Sequence, residues 1–339
     1  MKLSVIIPCY NKSSYLIEMI KSIQCQTFTD WELILVDDGS EEEQFEQIVN
    51  YVSCDHRIQL VKRNRLPKNG DTCRNIGMDL AKGEYLLIFD ADDIVVNTCF
   101  ERRVSFMDNH PNCDYASFPS CSFINGTDNY RPRAYYNSKA TILEQLLSNK
   151  YPFTVWGNIY RKESLKNIRW DENLFVYQDF DFMVQCELFG LRHCWSNPTG
   201  EADYCYRIFN DGNSVCQKIA TQDKVESTNY LFVKVIEQLK KTNDEKKLKT
   251  IFFRYILIHF EQLLLAYNQQ LVGSFLETVK KIYPNQYQAM NNISVWRNKH
   301  NNSSHLTNAK LYLKLFYSFK EPVHKTFMIH EIGKWLLNR

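Results

Sequence analysis

The sequence of 339 residues lacks several features that would place it at once. It has no run of ~18 consecutive apolar residues, so no segment is long and apolar enough to cross a membrane as a helix. It has no Gly-x-Gly-x-x-Gly and no Gly-x-x-x-x-Gly-Lys-Ser/Thr, which removes the main support for a nicotinamide-binding or P-loop reading. Its eleven cysteines form no Cys-x-x-Cys pair and no Cys/His zinc spacing. Their odd number in a long chain leads us to expect reduced thiols in a cytosolic protein, not a disulfide framework. The sequons Asn125-Gly126-Thr127 and Asn302-Ser303-Ser304 would then carry no weight. Met1-Lys2 leads directly into a strand pattern, with the expectation that no targeting segment precedes the fold. Internal repeats, low-complexity tracts and a motif for reading nucleic acid are also missing, so nucleic acid is not an expected partner.

What is present is an ordinary globular composition, 44% hydrophobic and 24% charged. The length suggests one large domain plus an extension, or two domains. Charge divides the chain. Residues 1–216 carry 22 Lys+Arg and 30 Asp+Glu, a net of −8, whereas residues 217–339 carry 19 and 9, a net of +10. An acidic half followed by a basic half points to two units with different partners.

In the acidic half, apolar runs alternate with amphipathic segments. LSVIIPCYN (3–11), WELILVDDGS (31–40), 57–62 and 85–89 read as strands. Residues 13–26, 41–52, 71–82 and 97–109 read as helices, the first with Leu16, Met19, Ile20 and Ile23 on one face. Alternating β and α segments imply an α/β fold, a mostly parallel sheet with helices on both faces. Residues 111–175 hold short aromatic strands, a helix near 139–149, and Trp156-Gly157-Asn158 before another strand. A helix at 179–190 and strand-like pieces at 191–195 and 203–208 follow. The basic half reads as helices at 217–241, 245–269, 273–282, 305–318 and 323–337, with a polar linker at 298–304.

Three strands end in polar clusters: Pro8-Cys9-Tyr10-Asn11, Asp37-Asp38-Gly39-Ser40 and Asp90-Ala91-Asp92-Asp93. One acidic strand end is unremarkable as a turn or helix cap. Three on the carboxyl edge of one parallel sheet make a nucleotide site the better reading, because open α/β folds bind ligands there. Tyr10 offers an aromatic face to a base, and Asp38 can accept hydrogen bonds from base or ribose. Asp90 and Asp92 can reach ribose and metal. Clustered carboxylates repel unless a proton or cation neutralises them, and Mg²⁺ or Mn²⁺ completed by substrate phosphates would do so. Arg74, on the helix before the acidic strand, can neutralise a diphosphate, pair with one of the acids, or be a solvated surface charge. Asp71 or Thr72 reads as the cap of that helix. Asp179 and Asp181 start the helix after residue 178 and point in different directions. A carboxylate there is stabilised by the helix dipole whatever its function; the functional reading makes Asp179 a general base.

The segments SVIIPCYN, LILVDDGS, CRNIG, YLLIFDADD and QDFDF occur in the order found in glycosyltransferase family 2, which the chain resembles over residues 1–215. The resemblance implies the GT-A fold, a Rossmann-like nucleotide-diphospho-sugar transferase fold, followed here by a helical C-terminal extension. It implies that Pro8, Tyr10, Asp38 and Arg74 line a nucleotide-sugar site. It also implies that Asp90-Ala91-Asp92 is the metal-binding Asp-x-Asp motif, with Asp92 the direct ligand, and that Asp179 is the catalytic base. Gln178 stands where the family has glutamate. YCYR (204–207) resembles a late Tyr-Tyr-Arg stretch of the family.

The resulting expectation is a cytoplasmic, Mn²⁺- or Mg²⁺-dependent, inverting glycosyltransferase (residues 1–216) with a basic helical region (217–339). Its donor would be a nucleotide sugar, a UDP-sugar for preference, and its acceptor a saccharide that a lipid carrier can hold. The alternatives are a non-catalytic nucleotide-binding or scaffolding protein of the same fold, and a nucleotidyltransferase. Leu306, Ala309, Leu313 and Phe316, and then Met328, Ile332, Trp335 and Leu336, give the last two helices apolar faces. Two readings stay open for them: packing on the fold or in a homodimer, or peripheral contact with the anionic inner face of a membrane.

Overall fold

The computed structural model describes residues 1–127, 129–132, 139–197, 200–209, 221–266 and 268–299. The chain divides into two compact units, one of Met1–Leu146 and Lys150–Ser214, the other of Leu147–Asn149 and Val215–Arg339. In chain order the first contains β1 (Leu3–Cys9), α1 (Ser13–Gln24), β2 (Trp31–Asp37), α2 (Glu42–Val52), β3 (Ile58–Lys62), α3 (Gly70–Leu80), β4 (Tyr85–Ile88), β5 (Ile94–Val95) and α4 (Cys99–Asn109). Then come β6 (Tyr115–Ser117), β7 (Ser120–Ile124), β8 (Tyr130–Pro132), α5 (Ile142–Leu147), β9 (Asn158–Arg161), α6 (Gln178–Leu188), β10 (His193–Trp195) and β11 (Tyr204–Ile208).

Seven strands form one sheet in the order β10-β6-β9-β4-β1-β2-β3. The pairs β1–β2, β1–β4, β2–β3 and β6–β10 are parallel, and β9 runs antiparallel to β4 and β6. Both faces of β1 are covered, which is why it reads as an unbroken apolar run. Leu3, Val5 and Ile7 join a core with Leu16, Met19, Ile20 and Ile23 of α1 and Phe100, Val104 and Met107 of α4. On the other face Ile6 meets α3 so closely that a Cβ on Gly77 would lie 2.3 Å from Ile6 Cγ2.

Four short strands, β5-β11-β7-β8, make a second sheet that the sequence did not announce. Strands of two to five residues are too short to show a period of two. Cys113 and Cys194 are joined in a disulfide with Cα atoms 5.9 Å apart, which corrects the expectation of reduced thiols throughout. The parallel pairing of β6 with β10 creates that proximity, and no spacing in the sequence reveals it.

The second unit contains α7 (Gln222–Leu239), α8 (Glu245–Leu265), α9 (Gln269–Ile282) and α10 (Pro284–Lys299). The last was not expected. Its polar, Asn-rich sequence hides the apolar positions, but Pro284 is preorganised for a first helical turn. Met290, Ile293 and Arg297 are buried at helical spacing. The helices expected at 305–318 and 323–337, and with them the membrane and packing readings of the tail, lie outside the described residues.

Candidate active site

The carboxyl ends of β1, β2 and β4 bring the expected residues to one edge. Pro8 occupies β1 opposite Val36. The Ile6 carbonyl accepts from Phe89 N–H, so the alternate position Pro8 also faces β4, but β4 pairs with β1 only as far as Ile88. Its missing N–H therefore leaves no ladder bond unmade. Beyond it Tyr10 is exposed, and Lys68 Nζ lies 3.9 Å from its ring centroid.

The loops after β1 and β2 are stitched together. Asp37 accepts from Gly39 N–H and Ser40 N–H, Ser40 Oγ accepts from Asn11 N–H at 2.7 Å, and Asn11 Oδ1 accepts from Glu41 N–H at 2.9 Å. These bonds hold Asn11 and Lys12 in the left-handed region, at φ 52° and 54°, where non-glycine residues are uncommon and functional sites concentrate. Buried Asp38 accepts from Arg63 Nε at 2.6 Å.

Asp90 and Asp92 follow β4 and are half-buried. Arg74 Nη2 donates to Asp90 at 3.0 Å and Nη1 to Asp71 at 2.9 Å, while the guanidinium lies 4.6 Å from the Trp170 ring. Of the roles open to Arg74, the structure shows pairing, with two acids. Lys12 Nζ reaches Asp92 Oδ2 at 3.0 Å. Burial, and next to it the Asp92 charge, push Asp90 above the usual carboxylate range, against the pull of Arg74. Two carboxylates held by two cations form a donor set that suits a hard divalent ion taking its other oxygens from a diphosphate. Among the described residues no three potential ligands converge as an all-protein metal cage. Asp90 and Asp92 are the residues present whose chemistry fits such an ion.

Asp179 stands in the first turn of α6, after Tyr177 at φ 59°. Burial raises its carboxyl to about 6, with Arg74 lowering it and Asp90 raising it. A base with that value is poised near neutral pH. Asp181 is fully buried and accepts from Gln185 Nε2 at 2.7 Å. Gln178 donates to the Leu174 carbonyl.

Four residues around the site have partners that were not anticipated. The cap of α3 is Asn69, whose Oδ1 accepts from Thr72 N–H at 2.8 Å, so neither Asp71 nor Thr72 caps it. Asp71 is instead buried beside Arg74, and burial pushes it up to about 8. Its i,i+3 relation to Arg74 was the available signal. Asn75 clamps α3 to the chain at Trp170, donating to its carbonyl and accepting from its N–H. Lys12 carries no signal in the sequence, because only the left-handed turn aims it at Asp92.

Comparison with known proteins points to one family. The profile described as Glycosyl transferase family 2 matches residues 4–169. An uncharacterised glycosyltransferase of Haemophilus influenzae is 30% identical over 187 residues, 54% of this chain and 71% of that protein. The minor teichoic acid biosynthesis protein GgaB of Bacillus subtilis is 30% identical over 273 residues, 76% of this chain but only 28% of that protein's length. The structure of S. aureus TarS 1–349 in complex with UDP-GlcNAc superposes with a TM-score of 0.66 at 20% identity, over 94% of this chain and 91% of that one. At that identity the likeness is one of fold, and the fold is GT-A. A matching profile and a well-covered relative agree: the chain belongs to glycosyltransferase family 2.

Proposed function

We propose that this protein is a metal-dependent, inverting glycosyltransferase that moves a sugar from a UDP-sugar to a saccharide hydroxyl during synthesis of a cell-surface polysaccharide. The observation that carries the reading is that Asp179, at the start of α6, lies within electrostatic reach of Arg74 and Asp90, and that Arg74 is paired with Asp90 at 3.0 Å. The UDP-GlcNAc held by TarS and the teichoic acid role in the name of GgaB support the donor and product classes. Residues 1–216 form the catalytic part in this reading, and residues 217–339 form a basic helical region for which packing on the fold or in a homodimer, and contact with the anionic inner face of a membrane, both stay open.

Pro8, Tyr10 and Asp38 line the nucleoside end, with Tyr10 offering its exposed ring to the base. Asp92 and Asp90 would hold Mn²⁺ or Mg²⁺, which when bound neutralises charge on the diphosphate leaving group. Arg74 keeps a positive charge between Asp71 and Asp90 beside the reacting centre. Asp179 takes the proton of the acceptor hydroxyl as its oxygen attacks the anomeric carbon from the face opposite the diphosphate. The bond from that carbon to the diphosphate oxygen breaks, its electron pair leaves with UDP, and the configuration inverts.

The test is proton NMR of the product formed by the purified protein from α-linked UDP-sugars, a saccharide acceptor and Mn²⁺. The expected result is a β-linked product with release of UDP. An α-linked product would contradict inversion, and release of sugar 1-phosphate in place of UDP would mark a nucleotidyltransferase. Donor binding without turnover across a broad acceptor panel would leave a nucleotide-binding module.

A further inference from the structure

The turn Asp90–Asp93 leaves the large sheet at β4 and enters the small sheet at β5, and β11 grips it from the far side. Tyr204 Oη donates to Asp93 Oδ2 at 2.6 Å and accepts from Asp90 N–H at 3.3 Å. Arg207 N–H donates to Asp93 Oδ1 and Arg207 Nε to the Asp92 carbonyl, both at 2.7 Å. The guanidinium is fixed in turn by Asn125 Oδ1 at 2.9 Å and Glu18 Oε2 at 2.6 Å. Phe89 and Trp156 flank the Tyr204 ring, with centroids 4.9 and 6.0 Å away. Tyr204, Asp93 and Arg207 are all buried.

Three adjacent carboxylates thus do two different jobs. Asp93 points inward with both oxygens satisfied, while Asp90 and Asp92 stay half-exposed. We propose that Tyr204 and Arg207 are positioning residues that hold the Asp90–Asp93 turn in the shape in which Asp92 and Asp90 accept a divalent cation, with Asp93 as their anchor and not as a third ligand. The proposal rests on the metal reading above. Partners that orient metal-binding carboxylates typically matter ~10–100-fold in metal affinity when removed. The grip comes from a separate sheet, so it fixes the turn without occupying the site.

The experiment measures binding of Mn²⁺ in the presence of UDP, by loss of the free-Mn²⁺ paramagnetic resonance signal, for the full-length protein and three variants. Tyr204→Phe removes the donor to Asp93 and the acceptor for Asp90 N–H, and should weaken Mn²⁺ binding about tenfold or more. Arg207→Lys keeps the main-chain bond to Asp93 but loses the Nε bond to the Asp92 carbonyl, and should weaken it as well. Tyr85→Phe deletes a comparable phenol bond, to Asp108 at 2.7 Å, at the opposite end of β4 and should bind as the wild type does. Equal affinity in Tyr204→Phe and wild type would overturn the proposal alone. Equal losses in Tyr204→Phe and Tyr85→Phe would reduce it to general stability and overturn it too. A wild type that binds no Mn²⁺ with UDP would overturn the metal reading, and the proposal with it.

Discussion

At the scale of single residues, two carboxyl groups of this site are expected to report themselves through pH. Asp179 is raised to about 6, so in the proposed role of base it is lost on acidification through that value. The acid limb of kcat/KM should therefore have an apparent pKa near 6. Asp179→Asn should abolish that limb and lower kcat by ~10²-fold or more, with donor affinity nearly unchanged; Asp181→Asn, already tied to Gln185, should do much less. An acid limb that survives in Asp179→Asn belongs to another group. Asp71 is the second case. It is raised to about 8 by burial, and its Oδ2 has no hydrogen-bond partner among the described residues. An unfolded aspartate titrates near ~3.9. Between those two values the native state retains a proton that the unfolded state has released, so stability falls as pH rises. Asp71→Asn keeps an oxygen for Arg74 and mimics the protonated acid. Its denaturation midpoint relative to wild type should rise between pH 5.5 and pH 8.5, and a flat or falling difference would show that Asp71 is ionised in the fold.

At the scale of elements, α3 is the piece on which the site depends. It carries Asp71 and Arg74, is capped by Asn69, is clamped by Asn75 to the segment of Trp170, and lies against β1 at Gly77. Gly77→Ala puts a methyl group into Ile6 and should cost about 1–3 kcal/mol, the scale of overpacking. Chemical denaturation measures this, and a double-mutant cycle with Ile6→Ala should show coupling that relieves the clash. Additive effects would mean that α3 shifts freely on the sheet. Elements of this kind were legible in the sequence to the extent that their side chains repeat. The unbroken apolar runs of β1, β2 and β4 and the amphipathic α1 announced themselves, as did the acids at the strand ends. The grip of β11 on the Asp90–Asp93 turn was not legible, since it joins residues more than a hundred positions apart through strands too short to show a period. The position of Lys12 and the Cys113–Cys194 bond were hidden for the same reason: each depends on a backbone path and a register, not on composition.

At the scale of the molecule, every residue assigned to the site falls in the unit formed by Met1–Leu146 and Lys150–Ser214. A fragment of residues 1–214 is accordingly expected to unfold in one cooperative transition and to retain Mn²⁺-dependent binding of UDP, as calorimetry in both senses would show. An aggregated or non-binding fragment would mean that the basic half completes the catalytic unit. The charge of the sequence changes along the chain, a net of −8 in residues 1–216 and +10 in residues 217–339, but what the basic half contacts is not written in either its composition or its helical spacing. The most direct test of the central claim, that the acids after β4 hold a cation for sugar transfer, is the rate of UDP release from a UDP-sugar with Mn²⁺ and with EDTA, for wild type and Asp92→Ala. The predicted result is turnover by the wild type that EDTA abolishes and that Asp92→Ala lacks in either condition; an Asp92→Ala protein that keeps most of its turnover and its Mn²⁺ dependence would contradict it.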